Sequence, residues 1–202
     1  MSEARIPGFE VELGDPALAL EGSGGVADRT GPFRRLLSAD EALLLAFQRF
    51  RAPWRTAVAR ALTRAGDARS WTVVGLALLA TCSVPGVHLG LRLAAAALGA
   101  TALSQALKRT LSRTRPDVRI AGFEALAQNP DRFSFPSGHT AAAFAVAVAF
   151  AGEPYAAGPV SLLLALGIAL SRVYLGAHYP LDVGAGALLG AFAGALARLL
   201  VA

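Results

Sequence analysis

Residues 157–201 read AGPVSLLLALGIALSRVYLGAHYPLDVGAGALLGAFAGALARLLV and decide the fold. Two apolar runs, 157–175 and 181–201, flank a short polar cluster. A helix that spans a membrane needs about 20 mostly apolar residues. The stretch therefore predicts two transmembrane helices joined by a short connection.

Three further apolar segments precede these two, at 71–86, 90–107 and 137–151. The first and third are short for a full span, which local thinning of the bilayer or burial of their ends in protein would accommodate. Composition agrees with a membrane protein, because 54% of residues are hydrophobic and only 16% are charged, against about 25% charged in soluble domains. We expect an all-α integral membrane helical bundle of five transmembrane helices.

The chain before the first span divides into two parts. Residues 1–39 are rich in glycine and proline and predict a flexible N-terminal tail, followed by a membrane domain over 40–202. Residues 40–66 predict an amphipathic interfacial segment that Pro53 splits into two helices; an ordinary surface helix packed on the protein is the compatible alternative. A crossing of the hydrocarbon is excluded by five arginines: Arg49, Arg51, Arg55, Arg60 and Arg64.

A basic cluster follows the second span, from Lys108 to Arg115-Pro116. Lysine offers a point charge and arginine a planar fork, so the two could hold one phosphate. The alternative is the ordinary basic flank of a membrane helix. The net charge of +5 would suggest nucleic acid in a soluble protein. Here the basic residues lie near apolar segments, which favours lipid headgroups or a phosphate substrate, with no nucleic-acid partner.

The third apolar segment begins with Pro136-Ser137-Gly138-His139. Serine suits a helix cap, and glycine lets the backbone approach an anion without a side chain in the way. Free N–H groups at a helix N-terminus bind phosphate, and His139 in the first turn would face the same anion. The alternative is a capping serine beside an interfacial histidine.

The polar cluster quoted first contains Arg172, His178 and Asp182. Asp182 follows His178 by four residues, so its carboxylate can reach the imidazole. A carboxylate on one ring nitrogen fixes the tautomer and leaves the other nitrogen free to attack. A headgroup-level histidine beside a capping aspartate is the alternative.

Helix polarity brings the three clusters together. Each span reverses direction, so the end of the second, the start of the third, the end of the fourth and the start of the fifth share one membrane face. Three cations, two histidines and one carboxylate are then expected to meet at that face.

The pattern Lys108-x6-Arg115-Pro, Pro-Ser-Gly-His139 and Ser-Arg172-x5-His178-x3-Asp182 resembles the type 2 phosphatidic acid phosphatase superfamily. The motifs cover residues 108–182 without a substitution, and the helices around them fit the bundle of that family. Many of its membrane members have six spans, one more than we count here.

The resemblance implies a role for each motif residue. His178 is the nucleophile, Asp182 orients it, and His139 protonates the leaving oxygen. No metal or other cofactor is expected. The residues implied to bind the substrate phosphate are Lys108, Arg115, Arg172, Ser137 and Gly138.

The expected function is hydrolysis of a lipid phosphate or diphosphate through a phosphohistidine. Candidate substrates are phosphatidic acid, phosphatidylglycerophosphate and polyprenyl phosphate or diphosphate. Two alternatives stay open: a lipid phosphotransferase using the same phosphohistidine, and a catalytically silent membrane scaffold.

The distribution of basic residues predicts an orientation. Of 19 lysines and arginines, only Arg92 and Arg198 fall on the far face under this topology. Because positive residues favour the cytoplasm, we expect a multi-pass inner-membrane protein with its active site on the cytoplasmic face.

The last segment carries Gly186, Gly190 and Gly194 at four-residue spacing. Such spacing places three glycines on one helix face, where another helix can approach closely. That helix could belong to the same chain or to a second copy in a homo-oligomer.

Overall fold

The structure, a computed structural model, describes residues 31–127, 131–153 and 157–201. The chain divides into two units, residues 1–35 and 36–202. Within the described ranges all regular secondary structure is helical, beside one isolated β-bridge. The all-α prediction is thus confirmed. The helices are α1 (Pro32–Gln48), α2 (Pro53–Ala65), α3 (Ala68–Ala80), α4 (Val84–Leu111), α5 (Pro116–Arg119), α6 (Gly138–Ala149), α7 (Ala157–Tyr174) and α8 (Pro180–Leu200).

The N-terminal division stays a prediction. Residues 1–30 of the expected tail lie outside the described residues, and α1 begins at Pro32, before the expected boundary at 39.

Pro53 separates α1 from α2 as predicted, because it occupies the first position of α2 and cannot continue the preceding helix. The inner face of α2 packs on α7, where Leu62 lies 3.1 Å from the position that a Cβ on Gly167 would take. Trp54 and Val58 on α2 stay exposed. The segment is therefore packed on the protein on one side and presents an apolar face on the other.

Helix α6 is the centre of the bundle and packs against α4, α7 and α8. It is built almost wholly from small residues, and its buried positions include Ala141, Ala142, Ala143, Ala145 and Ala149. Side chains this small allow neighbouring helix backbones to approach closely, and this approach gives the bundle its tight centre.

The glycine face of α8 packs against α6 of the same chain. A Cβ placed on Gly190 would lie 2.2 Å from the carbonyl oxygen of Ala141, and one on Gly194 would lie 2.3 Å from that of Ala145. Gly186 is buried in the same contact. Of the two explanations of the glycine spacing, packing within the chain therefore accounts for the burial of Gly186, Gly190 and Gly194, and a homo-oligomer stays an untested prediction.

Large apolar side chains point outward from the same helices. Leu98 on α4, Leu163 on α7, and Leu188 and Leu199 on α8 are each at least 70% exposed. Small residues inside and leucines outside reverse the usual pattern of a soluble core. The outer surface therefore suits lipid rather than water.

Three helices, α4, α7 and α8, are long and apolar enough to cross a membrane. The other two predicted spans correspond to α3 with 13 residues and α6 with 12, which are shorter apolar helices. The helical membrane protein is supported, and the count of five spans stays a prediction.

The α6–α8 contact predicts a stability difference between two glycines of α8. Gly190→Ala forces a methyl group against backbone, and overpacking of this kind costs about 1–3 kcal/mol. We expect a fall in Tm of several degrees, measured by thermal unfolding in detergent.

Gly184→Ala is the matched control, because no atom lies within 4 Å of its Cβ position. Both variants gain the same helix propensity. Equal Tm values for the two variants would contradict the close α6–α8 packing.

Candidate active site

The three motif clusters meet at one end of the bundle around a cavity of about 440 Å³. Helix polarity positions them, since the cavity is reached by the ends of α4 and α7 and the start of α6. Ser137 and Asp182 are fully buried beside the cavity and do not line it. The motif residues that do line it are Lys108, Arg115, Gly138, His139, Arg172 and His178.

His178 lies in the connection between α7 and α8 and is only 1% exposed. Its Nε2 is 3.4 Å from Nη1 of Arg115. Burial, followed by the positive charges of Arg172, Arg115 and Lys108, lowers the pKa of His178 well below its usual value. The imidazole is therefore neutral at pH 7, which is the form that carries a free lone pair.

Asp182 stands in the first turn of α8, and its Oδ2 is 3.7 Å from Nδ1 of His178. This distance is too long for a hydrogen bond. Both carboxylate oxygens have other donors: Arg113 Nη1 at 2.7 Å on Oδ1 and the Tyr179 backbone N–H at 3.0 Å on Oδ2. The expected hydrogen bond between Asp182 and His178 is thus not formed here, because Asp182 also serves as a helix cap and an ion-pair partner.

Arg113 is a residue that the motif analysis passed over. Its guanidinium bridges Asp182 and Asp40 of α1, with 2.7 Å to each carboxylate, and lies 4.0 Å from the ring centroid of Tyr179. Burial lowers the pKa of Arg113, but the charges of Asp182 and Asp40 outweigh it, so the pKa is raised. Asp40 also accepts a hydrogen bond from the Leu181 N–H at 2.8 Å. This network fastens α1 to the start of α8.

Lys108 and Arg115 share one anionic partner, the carboxylate of Asp131, and their binding of a phosphate stays a prediction. Nζ of Lys108 donates to Asp131 Oδ2 at 2.8 Å, and Arg115 donates to Oδ1 through Nη2 and through Nε at 3.2 Å. Burial raises the pKa of Asp131, yet the hydrogen bonds from Lys108 and Arg115 prevail and lower it. Asp131 therefore stays ionised between the two cations.

The remaining motif residues have mixed positions. Arg172, in the last turn of α7, donates to Thr63 Oγ1 at 3.1 Å. Ser137 occupies the N-cap of α6 without a capping hydrogen bond from its side chain, because its hydroxyl accepts from Thr140 at 2.9 Å. Its N–H donates to the Asp182 carbonyl at 3.0 Å. Gly138, at the start of α6, presents bare backbone to the cavity.

His139 lines the cavity from the first turn of α6, and its Nε2 is 2.7 Å from Oδ1 of Asp67. Like Arg113 and Asp131, Asp67 has no motif of its own. All three lie far in sequence from at least one of their partners, and no local pattern identifies them.

The fold and the cavity define a helical membrane protein with a cationic pocket beside a buried neutral histidine. Residues 89–202 match the PAP2 superfamily. The chain is 37% identical to the decaprenylphosphoryl-5-phosphoribose phosphatase of Mycobacterium tuberculosis over 150 residues, which cover 71% of this chain and 79% of that one.

Two solved structures are similar in fold. One is the transmembrane PAP2-type phosphatidylglycerolphosphate phosphatase of Bacillus subtilis, with a TM-score of 0.66, 27% identity and coverage of 82% of this chain and 86% of that one. The other is LpxE of Aquifex aeolicus, with a TM-score of 0.68, 27% identity and coverage of 77% and 92%. The chain belongs to the PAP2 superfamily, and the resemblance seen in its motifs is confirmed.

The position of Asp131 predicts competition with phosphate. Asp131→Asn removes a negative charge that occupies Lys108 and Arg115, so we expect orthophosphate to bind about 3–10-fold more tightly, or about 0.7–1.4 kcal/mol. Isothermal titration calorimetry on the purified protein measures the affinity.

The control is Asp117→Asn, which removes the same charge from an exposed residue nearby. If the Asp131 variant binds phosphate no better than this control, the carboxylate does not compete for the anion site.

Proposed function

We propose that this chain is an integral membrane phosphatase that hydrolyses a lipid phosphate or diphosphate through a phosphohistidine on His178. The observation that carries the proposal is the buried neutral imidazole of His178, whose Nε2 lies beside the guanidinium of Arg115 in the cationic end of the cavity. A neutral imidazole among three cations suits attack on a phosphoryl group whose negative charge the cations hold in place.

The reaction runs in two steps. Nε2 of His178 forms a bond to phosphorus, the bond to the lipid oxygen breaks, and its electron pair stays on that oxygen, which takes a proton from His139. Water then gives a proton to His139 and attacks the phosphorus of the phosphohistidine. The P–N bond breaks, its electron pair returns to Nε2 of His178, and orthophosphate leaves. Asp182 supports the imidazolium in both steps after an approach of about 0.8 Å to hydrogen-bond distance.

The phosphate is held by Lys108 and Arg115, the two cations that are paired with Asp131 in the structure. Its displacement would free the ammonium of Lys108 and the fork of Arg115, while Arg172 completes the positive wall. The N–H of Gly138 at the start of α6 adds a hydrogen bond. Ser137 contributes indirectly, by holding the backbone of α6 to that of Asp182.

A lipid substrate suits the rest of the cavity. From the cations it continues between α3 and α4, where its walls are mostly apolar and end near Leu79 and Gly90. Gly90 and Lys108 are 18 residues apart on one helix, or about 27 Å at 1.5 Å per residue. This length is comparable to the hydrocarbon core of a bilayer, about 30 Å, so one hydrocarbon chain can follow the groove from a headgroup at Lys108.

The names of the similar proteins favour the same class. They include a phosphatase for a decaprenyl-linked phosphoribose and one for phosphatidylglycerolphosphate. For this chain we propose the same range of substrates, with prenyl-linked phosphates first because that relative shares the higher sequence identity.

The activity assay tests the mechanism. Phosphate release is measured in detergent, with EDTA, from phosphatidic acid, phosphatidylglycerophosphate, and polyprenyl mono- and diphosphate. We expect release that EDTA does not affect, since no cluster of three metal-binding side chains occurs in the described part of the chain. His178→Ala is expected to lower kcat by at least about 10³-fold.

His88→Ala is the control, because this exposed imidazole lies outside the cavity. Activity that survives His178→Ala or disappears with EDTA would falsify the metal-free phosphohistidine mechanism. Transfer of phosphate to an added lipid, without free phosphate, would instead identify a phosphotransferase.

We also propose five spans, with α1 and α2 in the interface and the active site facing the cytoplasm. Exposed Cys82 lies between α3 and α4, on the face opposite the site in this topology. An impermeant maleimide is therefore expected to label Cys82 in intact cells and to miss Asp117→Cys in a Cys82→Ser background. The reverse labelling pattern would place the active site outside.

A further inference from the structure

The connection between α2 and α3 lies against the cavity and is held firmly there. Gly66 is buried, and a Cβ on it would lie 2.9 Å from Cγ2 of Ile168 on α7. The indole N–H of Trp71 donates to the Gly66 carbonyl at 3.2 Å. The next residue, Asp67, is therefore held on a fixed backbone between two residues that line the cavity, Gly66 and Ala68.

The side chain of Asp67 does not do what its position predicts. Asp67 is the N-cap of α3, with extended backbone, and an aspartate there ordinarily accepts a hydrogen bond from the first turn of the helix. Its side chain makes no such bond. Its Oδ1 instead lies 2.7 Å from Nε2 of His139, on a helix more than 70 residues away in sequence. The carboxylate is thus committed to the histidine.

We propose that Asp67 is a positioning residue that holds His139 in the orientation and charge state of a proton donor. This inference rests on the proposed function, in which His139 protonates the leaving lipid oxygen. Asp67 accepts the hydrogen bond from Nε2–H, which leaves Nδ1–H as the proton given to the substrate.

The charge of Asp67 matters as much as its geometry. Lys108 and Arg172 line the same cavity as His139, and their positive charges oppose an imidazolium. A carboxylate at hydrogen-bond distance counters part of that repulsion, and the negative charge of a bound phosphate would counter more of it, so the histidine can carry the second proton when substrate is bound. After the transfer His139 is neutral and still donates Nε2–H to Asp67.

The pair contributes little to the stability of the fold. The Asp67 side chain is 44% exposed and that of His139 is 29% exposed, and ion pairs with this access to water add little to the stability of a fold. The Tm of Asp67→Asn is accordingly expected to stay within about 2–3 °C of the parent.

The test uses the dependence of the reaction on its leaving group. An alkoxide leaving from a lipid phosphate needs a proton, whereas p-nitrophenolate leaves without one. The values of kcat/KM, which report the phosphorylation step, are measured for a lipid phosphate and for p-nitrophenyl phosphate. General acid catalysis contributes about 10²–10⁴-fold.

Asp67→Asn is expected to lower kcat/KM for the lipid phosphate by about 10–100-fold, and much less for p-nitrophenyl phosphate. His139→Ala should show the same selectivity with a larger loss. Asp67→Glu, which keeps the carboxylate, should recover part of the loss. Asp117→Asn serves as the control and is expected to leave kcat/KM unchanged for both substrates.

The two proposals fail in different ways. Equal losses on both substrates, or full activity of Asp67→Asn on the lipid while His139→Ala loses it selectively, would overturn the role of Asp67 alone. A His139→Ala variant without leaving-group selectivity would overturn the assignment of His139 as the acid, and with it that of Asp67. Loss of phosphohistidine chemistry itself is reported separately by His178→Ala.

Discussion

The contact between α6 and α8 is the constraint on which the site depends. Because Gly186, Gly190 and Gly194 have no side chains, the two helices meet backbone against backbone. At the end of this contact the Ser137 N–H bonds to the Asp182 carbonyl at 3.0 Å. The same packing that holds the bundle together therefore sets the start of α6 beside the connection that carries His178.

Charge balance is the second organising feature of the site. Most of the groups that the reaction would use have a carboxylate close by: Asp131 for Lys108 and Arg115, Asp67 for His139, and Asp182 near His178. Buried charges are costly unless paired. An incoming phosphate needs to replace only Asp131. Lys108 and Arg115 can then exchange this carboxylate for the phosphate, while Asp67 and Asp182 stay beside the two histidines.

Much of the fold and the shared position of the motifs could be predicted from the sequence, since long apolar runs fix the helices and helix polarity fixes which ends meet. The helix break at Pro53 and the close helix packing at the glycines of α8 could also be predicted, because each depends on local backbone geometry. Asp67, Asp131 and Arg113 were not, since each is a single polar residue whose role depends on a partner in another segment. The geometry of Asp182 also escaped prediction, because four-residue spacing says only that it can reach His178.

The carboxylate between Lys108 and Arg115 has a consequence for selectivity in a cell. Two unpaired cations would bind orthophosphate as well as the phosphate group of a lipid. Because Asp131 already pairs with Lys108 and Arg115, a phosphate displaces it only if another part of the ligand contributes binding free energy. A hydrocarbon chain in the groove between α3 and α4 would supply that binding free energy and orthophosphate would not, so the proposed site would select phosphates that carry a lipid tail.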